Sequence, residues 1–395
     1  MLTTMHHAPT RASGLVMLAL LAAVASGCAS SSLNQARREY HSGDYRKAAE
    51  TLEKADFPER DRVLFMMERG MIRQAAEHYD DSTKDFLDAY ETLEEMTAIS
   101  VTKDTASMVI NDNVQNFHAV PFERTLLHTF TAKNHLLQSN WENAAVEARR
   151  IIQSLSAEAK KDYPDDAYSR YMAGFCLSMI GDWSNAALQF REAGKLLPAL
   201  QIDERTGLIT PGTNAPASPT PGANTGHELV VFALIGRSPT GQELHNQRRP
   251  IMPAGFAEIV IDGQTAGRSY ALTDTADLAF TTKQKDAIRD MAKTVSRIAL
   301  KEATAYQLDK QNELVGALYR IIMIGLLEQP DVRRWETLPR SLQVARVPCP
   351  TDPQEIQVRF VHSPGGAGRT LHLKPPYIQN RNTRILVVRD TQPVL

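Results

Sequence analysis

The cysteine at position 28 stands in the sequence context most suited to chemistry. Its thiol follows a stretch of small residues, 24–28 (VASGC). Upstream, Arg11 is the only formally charged residue before an apolar run over 15–25. A run this short cannot span a bilayer, and a positive charge followed by a short apolar run is the order found in export signals. The sequence therefore predicts that the chain is exported.

Residues 24–28 resemble the lipobox of bacterial lipoproteins. The resemblance implies that residues 1–27 are a lipoprotein signal peptide, cleaved before Cys28, and that acyl chains are added to the thiol and amino group of Cys28. Asp at the next position would favour retention in the inner membrane, but Ala29 stands there. We therefore expect an outer-membrane anchor that faces the periplasm. The alternative is an ordinary cleaved signal with an incidental cysteine.

Other residues with catalytic or ligand-binding potential lack the spacing that such sites need. His128 and His135 lie on one predicted helix, about 10 Å apart along its axis, which is too far to share a metal ion. The glycine-rich stretch 365–368 lies between two strand patterns without a lysine directly after it, so we interpret it as a hairpin turn. The G-x-S-x-G and G-x-x-x-x-G-K-[ST] motifs are absent. We expect no metal, no cofactor and no familiar catalytic site.

Charge and composition narrow the classes of partner. The 395 residues include 44 Lys and Arg against 46 Asp and Glu, a formal net charge of −2. This balance lacks the basic excess of a nucleic-acid-binding protein, and no run of basic residues would hold the chain on anionic lipid. The acyl group would then be the membrane anchor. Cys176 and Cys349 could pair in an oxidising periplasm, but we favour a Cys176 that is buried in an apolar helix.

A helical pattern recurs along residues 28–206. Its best example is a set of small, aromatic and turn residues: Gly174, Gly181, Asp182, Trp183, Ala186, Phe190, Ala193 and Pro198. The order and spacing resemble the tetratricopeptide repeat, a 34-residue helix-turn-helix unit. In this register Gly174 and Ala186 allow two helices to approach closely, and Trp183 and Phe190 pack inward.

Similar registers occur over 43–55, 70–89 and 141–151, and residues 100–121 interrupt the array as an insertion. An ordinary helical bundle is the alternative.

The periodicity changes after residue 206. Residues 207–226 contain four Pro and four Gly without a charged or aromatic side chain, so we expect a disordered linker. Beyond it, short apolar runs predict strands over 229–235, 257–261, 356–360, 371–373 and 384–389, and apolar spacing predicts a helical region over 283–328. We expect the last strand to be central because it is apolar on both faces. The chain is thus predicted as α+β: a tetratricopeptide-like array, followed by a mixed strand/helix module over 227–395 that moves independently.

The concave face of such an array, lined mainly by the first helix of each pair, is the predicted binding site. Seven aromatic, methionine and leucine side chains lie on or near this face in the predicted register: Leu64, Met67, Met71, Tyr168, Tyr171, Phe175 and Met179. Side chains of this kind suit a helix or an extended peptide laid in a groove. The alternative is that they are core residues or pack against the second half of the chain.

Three clusters carry a wider resemblance: residues 111–113 with 122–124, residues 144–150, and residues 331–339 with 345–346. Residues 28–390 look like a family of uncharacterised bacterial lipoproteins with tetratricopeptide-like repeats, a resemblance that implies no biochemical activity. In the last cluster we expect Trp335 to pack between the helices and the final strands, and Asp331 to pair with Arg333 or Arg334; contact with a partner is the alternative. The charges of 147–150 are interpreted as a solvated helix face.

These observations favour a non-enzymatic outer-membrane lipoprotein that binds protein partners in the cell envelope. We expect it to scaffold or regulate an envelope complex through the repeat groove. The alternative is an envelope enzyme, hydrolase-like, with an unrecognised site in residues 227–395. A pocket with convergent acid and base groups there would favour the enzyme.

Overall fold

The computed structural model describes residues 27–102, 116–212, 226–247, 255–287, 306, 331–362 and 366–391. Eight helices in this part form four consecutive pairs: α1 (Gly27–His41) with α2 (Tyr45–Glu53), α3 (Arg62–Ala75) with α4 (Tyr79–Thr102), α5 (Pro121–Leu137) with α6 (Trp141–Ala159), and α7 (Ala167–Met179) with α8 (Trp183–Lys195). Each pair also packs on the next, so the helices stack as an array. None of the helices described here is long and apolar enough to cross a membrane.

The turns inside the four pairs repeat one backbone geometry. The residue two positions before each second helix has a positive φ, at Gly43 (87°), Glu77 (68°), Ser139 (57°) and Gly181 (87°). Glycine adopts this conformation at little cost, whereas other residues do so under strain. The same conformation at the same place in each pair confirms helical repeats over the predicted array.

Small residues bring the two helices of a pair together, as the repeat register predicts. A Cβ on Gly174 would lie 2.9 Å from the Phe190 ring, and one on Gly70 would lie 2.5 Å from the Phe86 ring. The prediction that Trp183 packs inward is wrong, because its side chain is 54% exposed. Trp183 is the first residue of α8, at the edge of the apolar stripe, and a β-hairpin rather than another helix follows α8.

The rest of the described chain is mainly strands: β1 (Leu200–Ile202), β2 (Ile209–Pro211), β3 (Glu228–Ile235), β4 (Gly255–Ile261), β5 (Gln264–Arg268), β6 (Tyr270–Asp274), β7 (Ser341–Pro348), β8 (Ile356–His362), β9 (Gly366–Leu373), β10 (Ile378–Asn380) and β11 (Thr383–Asp390). A short helix, α9 (Gly241–His245), follows β3, and residues 275–287 are helical. β1 and β2 form a hairpin, one sheet has the order β10-β11-β3-β7-β6, and another the order β5-β4-β8-β9. Among the pairings of the described strands, only β11–β3 is parallel.

The five-stranded sheet is the middle of three layers. Along β3, Val230, Phe232 and Leu234 join the core beneath the helices, while the alternate residues Val231 and Ala233 join a second core beneath the four-stranded sheet. The α+β fold predicted from the sequence is therefore confirmed. β11 lies between β3 and β10, as expected of a strand that is apolar on both faces. The first core contains side chains from both predicted domains, and their boundary stays a prediction.

The expected linker begins later than the sequence suggested. Residues 209–211 form β2, paired with β1, and the Tyr171 hydroxyl donates to the Gly207 carbonyl at 2.8 Å. A Cβ on Gly207 would lie 2.8 Å from both the Phe190 ring and the Arg346 guanidinium. The prediction of disorder is therefore wrong for residues 207–212, because this segment is packed against α7, α8 and β7. Residues 213–225 lie outside the described residues.

Two further expectations fall partly outside the description. The predicted helical region 283–328 is described only as far as residue 287, apart from residue 306, and residues 103–115 of the predicted insertion are not described. The antiparallel pairing of β8 with β9 confirms a hairpin in this region, but residues 366–368 lie in β9 and not in the turn as predicted, because they pair with the end of β8; residues 363–365 lie outside the described residues. Cys176 and Cys349 are buried and are not joined by a disulfide.

Candidate functional site

A segment of the chain without regular secondary structure, residues 331–337, lies against the helical array. We call this segment the clasp. Its side chains and backbone contact residues of α1, α3, α4 and α5, together with Asp61 in the turn before α3. The clasp precedes β7 in the chain, and so ties the middle sheet to the helices.

Trp335 is the aromatic anchor of the clasp. It is 1% exposed, and its ring lies 5.8 Å from both Phe86 of α4 and Phe130 of α5, centroid to centroid. The indole N–H donates to the Thr337 hydroxyl at 3.1 Å, so the polar atom of the ring is satisfied. Tilted and edge-to-face ring pairs at such distances are favourable beyond their burial. Trp335 thus fills an aromatic pocket between two repeats. The part of the prediction that placed Trp335 against the helices is confirmed.

A fully buried carboxylate binds the backbone of the clasp. Glu68 of α3 accepts hydrogen bonds from the backbone N–H groups of Glu336, at 2.8 Å, and Thr337, at 3.2 Å. Arg37 of α1 donates to the same carboxylate at 2.6 Å and to the Arg334 carbonyl at 2.9 Å. Charge-assisted hydrogen bonds of this kind are the strong ones, and they compensate the burial of both charges. Glu68 and Arg37 therefore act together as a clamp on the backbone of the clasp.

The two arginines of the clasp each meet a carboxylate of the array. Arg334 donates to Glu123 at the start of α5 at 3.1 Å, and its guanidinium lies 5.6 Å from the Phe122 ring centroid. Burial raises the pKa of Glu123, although the charge of Arg334 opposes this shift. Arg333 lies 2.6 Å from Asp61 and 2.6 Å from Asp331. The predicted pairing of Asp331 with Arg333 is confirmed, with Asp61 as a partner that the sequence did not indicate.

The seven residues predicted to line a free groove are all buried. Leu64, Met67, Met71, Tyr168, Tyr171, Phe175 and Met179 belong to the core shared by the helices and the middle sheet. The rings of Tyr168 and Phe175 meet Phe232 of β3, at 6.2 and 5.2 Å between centroids. An open groove at these residues is therefore contradicted: they pack against the second half of the chain, which was the alternative reading of the same pattern.

The last strand also inserts a charge into the array. Arg389 of β11 donates to the Gln74 side-chain carbonyl, and it lies 3.4 Å from the Tyr40 hydroxyl and 3.2 Å from the Met71 sulfur. Burial raises the pKa of Tyr40 to about 12, although Arg389 pulls it down. Gln74 itself donates to the Phe130 carbonyl at 2.9 Å. The sheet and the helices thus share a hydrogen-bonded network as well as an apolar core.

Lys133 of α5 lies at the centre of this interface. Its ammonium nitrogen is 4.2 Å from the Phe130 ring centroid and 5.3 Å from that of Tyr168. Neither this nitrogen nor the Tyr168 hydroxyl has a hydrogen-bond partner in the described structure. Burial, and then the charge of Arg389, lower the pKa of Lys133 well below its ordinary value.

The alternative of an enzyme in residues 227–395 gains little from the described residues. His362 and Asp390 form an acid–base pair at 3.1 Å, at the ends of β8 and β11. A Cβ on Gly368 would come within 2.4 Å of the His362 ring, so the backbone of β9 closes over this pair. Within the described part of the chain, no group of three or more His, Cys, Asp or Glu residues could hold a metal ion.

The sequence did not indicate the residues that bind the clasp, Arg37, Asp61, Glu68 and Glu123. One signal was available for Glu68, which lies between Met67 and Met71 on the predicted inward face of α3. A carboxylate in an apolar stripe is rare unless it has a partner. The identity of that partner was beyond the reach of the local pattern.

No family model matches the chain, and no curated protein matches it. Among solved structures it is similar to the Rap conjugation gene regulator of the plasmid pLS20 in complex with the Phr* peptide, with 15% identity and a TM-score of 0.29. MamA AMB-1 is 15% identical, with a TM-score of 0.27, and the TPR-like repeats of a putative kinesin light chain of Podosopora anserina are 16% identical, with a TM-score of 0.28. The matches cover 41%, 43% and 43% of this chain, and 40%, 74% and 76% of those chains.

Proposed function

We propose that the protein is a non-enzymatic, protein-binding scaffold of the cell envelope that recognises a basic and aromatic segment on the concave face of its repeats. The observation that supports this proposal is the clasp. Its Trp335 enters an aromatic pocket, its arginines meet fixed carboxylates, and its backbone N–H groups meet Glu68. Aromatic anchors with arginine–carboxylate pairs are typical of the residues that dominate protein interfaces.

The clasp would act as a ligand in cis that a partner has to replace. Because the face is occupied, a partner segment would bind with an apparent affinity reduced by the small fraction of molecules in which the clasp is released. The partner would present an arginine followed by a tryptophan, with backbone N–H groups free to reach Glu68. A scaffold built in this way would respond to a specific partner and stay closed to unrelated segments.

The envelope location is proposed from the sequence at the N-terminus. Arg11, the apolar run over 15–25 and the small residues before Cys28 support an outer-membrane lipoprotein that faces the periplasm. α1 begins at Gly27, so an acyl group on Cys28 would place the repeats next to the membrane. Metabolic labelling with a palmitate analogue should label the wild type and leave Cys28→Ala unlabelled; an unlabelled wild type would contradict the anchor.

A peptide-exchange experiment tests the binding proposal. Residues 28–395 carrying Cys28→Ser would be titrated against a fluorescent peptide of residues 329–339, and binding measured by anisotropy. We expect the peptide to bind weakly to the chain with an unaltered clasp. It should bind at least tenfold more tightly to Trp335→Ala, because the clasp of this variant is held less firmly on the array. Val332→Ala is the matched control, because Val332 is an exposed residue of the same segment.

An altered peptide and a second variant distinguish specific recognition from non-specific binding. A peptide with alanine in place of its tryptophan should not bind, and adding Glu68→Gln to Trp335→Ala should remove binding of the unaltered peptide. If folded Trp335→Ala does not bind the peptide, the concave face is a structural contact alone. In cells, a photo-crosslinking residue at position 332 should then capture specific envelope proteins whose segments compete with the peptide.

A further inference from the structure

A second surface feature lies where the clasp meets the end of α1. It is a cleft of about 470 Å³, lined by α1 on one side and by the chain before α9 and Glu336 on the other. Its walls carry three guanidinium groups, from Arg37, Arg38 and Arg237, and the carboxylate of Glu336. All these residues lie outside the apolar cores of the fold, and the cleft needs a separate explanation.

One of the three arginines in the cleft has no carboxylate partner among the described residues. Arg38 is exposed and forms no ion pair or side-chain hydrogen bond with the described residues. Arg237 is held in place by two hydrogen bonds to Glu243, at 2.7 and 2.6 Å, and Arg37 is held by Glu68. Fixed guanidinium groups beside a free one suit a phosphate, because their planar forks match its oxygens.

The cleft also carries hydrogen-bond acceptors. The Glu336 carboxylate lies 3.3 Å from Arg37. Across from it on α1, Nδ1 of His41 is buried without a hydrogen-bond partner in the described structure. Burial lowers the pKa of His41 to about 4, so the ring is neutral near pH 7, and in the tautomer protonated on Nε2 its Nδ1 accepts a hydrogen bond.

We propose that this cleft binds a phosphate ester with a neighbouring ammonium group, the chemistry of phosphoethanolamine. The phosphate would lie against Arg38 and Arg237, and the ammonium would donate to the Glu336 carboxylate and His41 Nδ1. A purely anionic ligand satisfies only the guanidinium groups, whereas this zwitterion also satisfies Glu336 and His41.

The position of the cleft favours a lipid headgroup as the source of this ligand. Arg38 is ten residues beyond Cys28 on the same helix, about 15 Å along its axis. This step rests on the lipid anchor of the proposed function, since an acylated Cys28 would hold the cleft near the membrane surface. The headgroup contact would orient the repeats relative to the bilayer. The same chemistry in a soluble phosphate ester would bind without a membrane.

The test uses residues 28–395 with Cys28→Ser, so that no acyl chain contributes to membrane binding. Flotation would be measured with vesicles of phosphatidylcholine alone, with added phosphatidylethanolamine, or with added phosphatidylglycerol. Soluble O-phosphoethanolamine would be titrated by calorimetry. We expect binding to the phosphatidylethanolamine vesicles, competition by O-phosphoethanolamine, and at least a tenfold loss in Arg38→Gln.

Two further variants make the result specific. Arg46→Gln is the matched control, because Arg46 is an exposed arginine outside the cleft on α2, and it should bind as the unaltered chain does. Glu336→Gln should lose its preference for phosphatidylethanolamine over phosphatidylglycerol, because the ammonium loses its charged partner.

Each outcome decides the proposal. Binding of O-phosphoethanolamine without vesicle binding supports the ligand chemistry and assigns a soluble source. Equal binding to phosphatidylglycerol that disappears with salt, an equal loss in Arg46→Gln, or no binding of either ligand would overturn it. The peptide-exchange experiment uses neither ligand, so failure of the scaffold proposal is seen separately.

Discussion

Replacing Trp335 with alanine should lower the free energy of unfolding by about 4 kcal/mol. The side chain is almost completely buried between two phenylalanine rings. Burial of about 250 Å² at about 25 cal/mol per Å² gives an upper value near 6 kcal/mol, and truncations of large buried aromatic residues cost about 3–5 kcal/mol. The buried Thr337 hydroxyl also loses the indole N–H as a partner.

Urea unfolding followed by far-UV circular dichroism measures this change on residues 28–395 with Cys28→Ser. Val332→Ala is the control, because Val332 is 36% exposed in the same segment and its truncation should cost less than about 0.5 kcal/mol. A cost for Trp335→Ala below about 1 kcal/mol, or one equal to that of the control, would show that the clasp is not packed into the array.

Three other perturbations test separate parts of the structure. Trp183→Ala should lower the free energy of unfolding by less than about 1 kcal/mol because the ring is 54% exposed, and a loss near that of Trp335→Ala would mean that it is buried after all. Ser139→Gly should raise thermal stability and Gly181→Ala should lower it, each by about 0.5–1 kcal/mol, because both positions have a positive φ; the same sign for both would contradict the shared turn geometry. His41 has a pKa of about 4 in the fold, below the ordinary value of 6.5, so its contribution to stability is present above pH 6.5 and is lost as the pH falls towards 4. Between pH 7 and pH 5 the unaltered chain should therefore lose about 2 kcal/mol more than His41→Gln in urea unfolding, and equal losses would refute the burial of this ring.

The helical repeats and five of the eleven described strands were predictable because their signals are local. Gly174 with Phe190 and Gly70 with Phe86 lie within one helix pair, so their spacing alone indicates the close approach that the structure shows. The apolar run of β3 likewise indicates a strand that is buried on both faces. Such patterns depend on residues near each other in the chain.

The missed elements depend on partners that are distant in the sequence. β7 contains two polar side chains, of Gln343 and Arg346, that distant partners hold in the interior. Gln343 accepts a hydrogen bond from the Ser269 hydroxyl at 2.6 Å, and Arg346 donates to Glu228 at 2.6 Å. Residues 207–212 are also held in place by partners that are distant in the sequence. The Tyr171 hydroxyl donates to the Gly207 carbonyl, and the Arg346 guanidinium packs beside Gly207. No local pattern indicates that such partners exist.

The concave face shows the same limit at the candidate site. Apolar periodicity correctly places Met71 and Phe175 on buried helix faces, but it cannot distinguish a face that awaits a partner from one covered by the same chain. The middle sheet covers these two residues, through Arg389 at Met71 and Phe232 at Phe175. The clasp adds the contacts Arg333–Asp61 and Arg334–Glu123, which join residues more than 200 positions apart. The distinction required the tertiary structure.

The second half of the chain covers the helix face that was predicted as the binding groove, and cleavage of the chain tests this arrangement most directly. A specific protease site would be inserted between residues 212 and 226, and the cleaved protein passed through a gel-filtration column. The shared core, the clasp and Arg389 predict that the two fragments elute together at the volume of the intact chain and separate only in denaturant. Separation of two folded fragments in native buffer would contradict the account.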